Sequence, residues 1–260
     1  MKAFASCNCM AKGEHMNRLV YLSSDCLSDL DGFRVETSLQ GVRADIVLDR
    51  PPFNVMSLTQ HEQIRAVIEA LDRDPVIQII VLRSSREHFS NGMDAFGLSH
   101  AAMQHASRLV FAVSAPSRCS KPVIAANRGH CFGSAFELSL ACDFRVVTES
   151  TVYALPVLHD GHLPAYESMR RLHRLIGTGR TKDLVMRSRF LDGVKACNWG
   201  IANEFTVDTE LENVTDALVE ELLAASPAKP HAIKQLLNSM DDGFTGLEYG
   251  AGGNAQTILA

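Results

Sequence analysis

The sequence predicts a layered α/β domain, and three observations carry that prediction. Apolar β-like runs recur at residues 76–82, 123–126 and 144–147, with helical patterns between them. The first of these, Val76 to Leu82, reads VIQIIVL, a nearly continuous β-branched run of the kind found in strands covered on both faces. Beyond Leu155-Pro156 the β-like runs thin out and helical segments take over. Strand, helix, strand, helix, strand with right-handed crossovers builds a largely parallel sheet, and such sheets bind ligands beyond the carboxyl ends of their strands.

Each element has its own justification in the sequence. Residues Phe33 to Leu48 hold two β-like runs that meet at Gln40-Gly41, which predicts a hairpin. Ser57 and Gln60 form an S-x-x-Q start signal, and Ile64, Val67, Ile68 and Leu71 recur at helical spacing before Asp74-Pro75 stops the helix. A further helix is expected around His100 to Ser114. Helices are also expected over Glu167 to Ile176, Thr181 to Arg187, Gly193 to Trp199, Leu211 to Ala225 and His231 to Met240, punctuated by Gly177, Gly200 and Pro227.

The densest stretch is Lys121 to Val147, KPVIAANRGHCFGSAFELSLACDFRVV. Val123 to Ala126 reads as a buried strand behind Pro122, Gly129 and Gly133 bracket a tight turn, and a helix begins near Ser134. Ser134 is the expected N-cap, and with Glu137 it spells an S-x-x-E capping box. Free N–H groups in that first turn, with the positive end of the helix dipole, make a site for negative charge. Glu137 within a turn of such a site is an acid/base group beside an oxyanion donor, the pairing used for chemistry next to a carbonyl. A cap and nothing more is the alternative reading of the same residues. The second glycine bend, at Gly92, also follows a strand, so both bends are expected on one edge of the sheet.

Composition sets outer bounds. The 260 residues have room for one generous domain, and the formal net charge of −5 with scattered Lys and Arg leaves no footprint for nucleic acid. No apolar run approaches the roughly 18 residues that cross a bilayer. Seven cysteines at irregular spacing, with Cys7-x-Cys9 the one close pair, read as reduced thiols in a cytoplasmic setting, Cys142 being a small buried residue. No metal or redox cofactor is implied. The first thirty residues lack a hydrophobic leader and the Arg-rich profile of a transit peptide. The expected organisation is a loosely ordered lead-in over 1–32, a core domain over 33–200 and a helical C-terminal region over 201–260.

Three ordered motifs also carry a resemblance. The segment His88 to Asp94, HFSNGMD, looks like the F-S/C-x-G-x-D segment of the crotonase (enoyl-CoA hydratase/isomerase) superfamily. Lys121 to Val147 is similar to that family's strand–glycine turn–helix signature, and Leu48 to Ser57, LDRPPFNVMS, resembles its L-N-R-P segment. The resemblance runs from about Phe33 to about Ser239. It implies the crotonase (ClpP-like) fold, layered β-β-α repeats with a helical C-terminal region that packs subunits into trimers or dimers of trimers. It implies an acyl-coenzyme A substrate, with coenzyme A arriving as part of that substrate. The backbone N–H groups of Met93 and Ser134 would receive the thioester oxygen, and Met93, Asp94, Ala95 and Phe96 would lie along the cofactor. Glu137 matches one of the two carboxylates that hydratases use.

The sequence also departs from the family pattern. Where hydratases carry a second glutamate after a Leu-Pro pair, Leu155-Pro156 is followed by Val157. Losing one proton-transfer partner typically costs about 10²- to 10⁴-fold in rate, which puts ordinary hydration in question. His130, His159, Asp160 and Glu167 are the nearby titratable candidates to replace it. The triple-glycine run becomes Gly133-Ser134-Ala135, and the family's basic, aromatic closing segment has no counterpart after Gly253, which puts tight nucleotide binding in question. The expected activity is hydration or double-bond isomerisation of an enoyl-CoA. Decarboxylation, thioester hydrolysis, C–C cleavage or a catalytically silent acyl-CoA binder are the alternatives.

Overall fold

The computed structural model of the protein describes residues 30–93, 102–156, 164–224 and 228–242. β1 (Phe33–Ser38) and β2 (Arg43–Leu48) form the expected hairpin, joined by a 3-10 turn at Leu39–Gly41. β2 then runs parallel to β3 (Ile79–Ser84), β3 to β4 (Val123–Asn127), β4 to β6 (Phe144–Thr148) and β6 to β9 (Glu204–Thr206). The result is a six-stranded sheet in the order β1-β2-β3-β4-β6-β9. A second, three-stranded sheet joins β5 (His130–Phe132), β7 (Val152–Ala154) and β8 (Leu191–Asp192).

Alternation along the central strands explains why they read as unbroken apolar runs. Ile80 and Leu82 of β3 and Val123 and Ala125 of β4 join the main core, shared with α1 (Leu58–Arg73) and α4 (Ser134–Ala141). Ile79, Val81, Ile124 and Ala126 point the other way, into a second cluster closed by Leu211 and Val219 of α7 (Leu211–Ala224). With both faces covered, both sets of alternate positions are apolar over 79–82 and 123–126. α1 starts as its sequence predicts, with Ser57 Oγ accepting from Gln60 N–H at 3.1 Å. The Gln60 side chain instead bonds Gly32 O at 3.3 Å, so half of the capping box forms.

α2 (Ala102–Val113) and the short α3 (Ala115–Arg118) lead into β4. Downstream lie α5 (Tyr166–Met186), α6 (Gly193–Asn198), α7 and α8 (Ala228–Asp242). The two helices expected over 167–187 form one element bent at Gly177, whose φ of 74° and ψ of 168° interrupt the helix. No described helix is long and apolar enough to cross a membrane.

A buried cation ties α8 to α3 and to the segments that lead into β4 and β6. Lys234 Nζ donates to Asp143 Oδ2 at 2.6 Å and to Pro116 O and Lys121 O, both at 2.8 Å. Burial raises the Asp143 pKa, and Lys234 is the largest of the groups that oppose this. Lys234→Met leaves the Asp143 carboxylate and two carbonyls without that donor. It is expected to cost about 3 kcal/mol in urea denaturation.

Candidate active site

The site is built where two chain segments run side by side. Ser90 N–H donates to His130 O at 2.9 Å and Phe132 N–H donates to Ser90 O at 3.0 Å, so the segment before Gly92 lies along β5 through an isolated parallel bridge. Gly129 and Gly133 therefore bracket a strand, not a bare turn as the sequence predicts. Three residues are too few for a periodicity to reveal.

Gly92 has φ +88°, and a methyl on its Cα would stand 2.6 Å from Phe132 O and 3.5 Å from Ser134 N. The bend that carries Met93 is thus pressed against the bend that carries Ser134. Only a residue with no side chain permits both the positive φ and that approach. Among the described residues, neither the Met93 nor the Ser134 N–H donates to a protein acceptor. Gly92→Ala is expected to destabilise the fold by at least about 1–3 kcal/mol and to lower activity more than stability, checked by denaturation and turnover together.

Asn54 supports this bend from below. Its Nδ2 lies 2.8 Å from Ser84 Oγ, 2.9 Å from His88 O and 3.1 Å from Phe89 O, while Oδ1 accepts from Arg50 N–H at 2.6 Å. Ser90 Oγ donates to Asn54 O at 2.6 Å and accepts from Gly92 N–H at 2.9 Å. Nothing in sequence periodicity marks these as partners, because the contacts bridge segments some thirty residues apart.

α4 opens directly into the site. Its N-cap is Gly133, with φ 52° and ψ −124°, and Ser134 is its first helical residue. This corrects the expected capping box: Glu137 N–H bonds Gly133 O at 3.0 Å, and the Ser134 hydroxyl has gone elsewhere. Ser134 Oγ lies 3.1 Å from His61 Nε2, and His61 Nδ1 lies 2.8 Å from Ser57 O. His61 is a residue the sequence reading missed; it sits on the apolar face of α1, where a core residue is the default. Burial lowers its pKa from 6.5 to about 4, so the ring is neutral near pH 7.

Glu137 is buried one turn into α4 and its Oε2 accepts from Ala165 N–H at 2.9 Å. Burial raises its pKa, opposed by the Ser168 hydroxyl, the Ala165 N–H and the charge of Arg171. That direction moves a carboxylic acid toward the range useful for proton transfer near neutral pH. Its carboxylate is engaged by the Ala165 N–H and not by the helix cap.

The other titratable candidates separate. His130 stacks between His88 and Phe132, at centroid distances of 4.1 and 4.5 Å, and its Nδ1 lies 2.9 Å from Asn91 Oδ1. Glu167 pairs with Arg170 at 2.6 Å in the first turn of α5. Asp94, Ala95, Phe96, Val157, His159 and Asp160 lie outside the described residues. Cys119 and Cys142 have thiols pushed up to about 12 by burial, and Cys131 is raised as well, which leaves them protonated and inert.

Comparison with known proteins agrees with this architecture. Residues 39–249 match the enoyl-CoA hydratase/isomerase family, and the chain belongs to it, an enzyme with the crotonase fold. It is 26% identical over 235 residues to a peroxisomal Delta(3,5)-Delta(2,4)-dienoyl-CoA isomerase of Arabidopsis thaliana, covering 83% of this chain and 84% of the relative. It is 28% identical over 205 residues to a carnitinyl-CoA dehydratase of Escherichia coli, covering 76% and 77%. A Thermobifida fusca protein solved in complex with CoA superposes with a TM-score of 0.76 at 25% identity, covering 85% of this chain and 89% of that one.

Proposed function

We propose that this enzyme acts on an enoyl-CoA thioester through an oxyanion intermediate, with hydration or double-bond isomerisation as the reaction. The observation that carries the reading is the contact between the Gly92–Met93 and Gly133–Ser134 bends, with Glu137 one turn farther along. The Met93 and Ser134 N–H groups would converge on the thioester oxygen. Charge developing there as an enolate is what preorganised backbone donors stabilise, each worth roughly 3 kcal/mol. Glu137 would take and return the proton at carbon. Met93, Asp94, Ala95 and Phe96 would lie along coenzyme A, which enters as part of the substrate; no resident cofactor or metal is required.

The choice within this chemistry turns on Val157. With no carboxylate at that position, a reaction that needs a single acid/base group is favoured over two-carboxylate hydration. Isomerisation, which moves one proton from carbon to carbon, satisfies that limit. Decarboxylation and C–C cleavage through the same oxyanion do so too. The test is product analysis on a 2-enoyl-CoA, a 3-enoyl-CoA and a malonyl-type thioester. Interconversion of the two enoyl esters is expected, and no turnover of any of them despite binding would reduce the protein to an acyl-CoA binder.

Two further elements of the reading are assembly and compartment. α8 leaves Ile233, Leu236, Leu237 and Met240 more than half exposed, which supports association into trimers or dimers of trimers. The buried, unpaired thiols of Cys119, Cys131 and Cys142 support a reducing, cytoplasmic setting.

A further inference from the structure

The pairing of Ser134 with His61 has no part in enolate chemistry, and it has the geometry of a nucleophile with its base. A carbonyl oxygen only accepts, so the 2.8 Å contact between His61 Nδ1 and Ser57 O places the ring proton on Nδ1. Nε2 then presents a lone pair, and the 3.1 Å contact to Ser134 is the serine hydroxyl donating to it. The ring is anchored as a base must be. Ser57 is the N-cap of α1, and its carbonyl also accepts the His61 backbone N–H at 3.1 Å, which fixes the imidazole to the start of that helix. A third group thus orients the base, the arrangement that marks activated hydroxyl nucleophiles.

Position matters as much as pairing. Ser134 is the first residue of a helix entered through a sharp glycine turn from a short strand, and among the described residues its N–H has no protein acceptor. The hydroxyl and that N–H hang from one Cα. An acyl oxygen held by the N–H therefore brings its carbonyl carbon alongside Oγ. Serine acyl-transfer enzymes place the nucleophile's own N–H in the oxyanion hole for this reason.

We propose that Ser134, activated by His61, gives the site a second activity, hydrolysis of acyl thioesters through an acyl ester on Ser134. The proposal rests on the oxyanion pocket described above but uses neither Glu137 nor a group at position 157. In the first half, Oγ bonds to the thioester carbon and the C–S bond breaks. The hydroxyl proton passes to His61 Nε2 and leaves with the sulfur as free thiol. In the second half, water bonds to the ester carbon and the C–Oγ bond breaks. The proton of that water returns through His61 to Ser134, and the carboxylic acid departs; no oxidant or reductant takes part.

A saturated ester separates this activity from enolate chemistry, because butyryl-CoA has no double bond to hydrate or move. Free thiol released from butyryl-CoA is expected with the wild-type enzyme. Acid-quenched protein is expected to gain the mass of one butyryl group, located by peptide mapping at Ser134. Ser134→Ala should lose both signals, and His61→Phe should lower thiol release by about 10²- to 10⁴-fold while circular dichroism reports a folded chain. If the wild type turns over an enoyl-CoA but releases no thiol from butyryl-CoA, this inference falls and the enolate reading stands. Thiol release that persists in Ser134→Ala also overturns it. Failure to bind either ester sinks both readings together.

Discussion

Glu137→Gln is expected to lower turnover of the enoyl-CoA substrate by about 10²- to 10⁴-fold, or about 3–5 kcal/mol of transition-state stabilisation, with little change in KM. The amide is nearly isosteric and can still accept the Ala165 N–H, so the geometry around α4 should survive. Its capacity to take a proton does not. The same substitution should leave the protein as stable as wild type at pH 7, or more so. Burial raises the Glu137 pKa in the folded state, so whatever stability this carboxyl contributes is fully present below its ordinary value of 4.5 and is lost as pH rises through the folded value. An ionised, buried carboxylate is a cost at neutral pH that glutamine does not carry. A variant that lost activity and stability in parallel would make Glu137 a structural group and end its assignment as the proton carrier.

The second large effect is acid destabilisation carried by His61. Its folded pKa of about 4 lies well below the 6.5 of an exposed imidazole. Near pH 7 the ring is neutral in both states and its contribution is intact. As pH falls from 6.5 toward 4 the unfolded chain takes up a proton that the folded chain refuses, and stability drops by about 1.4 kcal/mol per pH unit, roughly 3 kcal/mol in all. Denaturation at about pH 7 and about pH 4.5, for wild type and His61→Phe, isolates this term, since other groups titrate alike in both proteins. The loss of stability on acidification should be smaller in the variant by most of that amount. Equal losses in the two proteins would mean that the ring is wet or free to move, and the fixed pairing with Ser134 would go with it.

Much of the architecture was legible because it is written in short-range pattern. Short, nearly continuous apolar runs such as 76–82 and 123–126 can be buried on both faces only within a covered sheet, and β3 and β4 divide their side chains between two cores accordingly. The Ser57 cap and the stop at Asp74 follow from local backbone chemistry. β5 escaped notice because three residues enclosed by glycines carry no usable periodicity. Ser134 was misread as a cap because S-x-x-E specifies a capping box only if the hydroxyl finds no better partner. His61, 73 residues away, is that partner.

By itself, then, the amino-acid sequence determined where the chain can bend and which segments must be buried. Gly92 and Gly133 admit backbone angles closed to other residues, and hydrophobic spacing sets strand against helix; both are properties of neighbours along the chain. What only the tertiary structure decided is who meets whom inside: Gly92 against Ser134, Ser134 against His61, Glu137 against the Ala165 amide. Those meetings depend on how crossovers stack α1 and α4 over the sheet. Side-chain chemistry such as a neutral buried histidine or a raised carboxyl pKa exists only once that packing has excluded water.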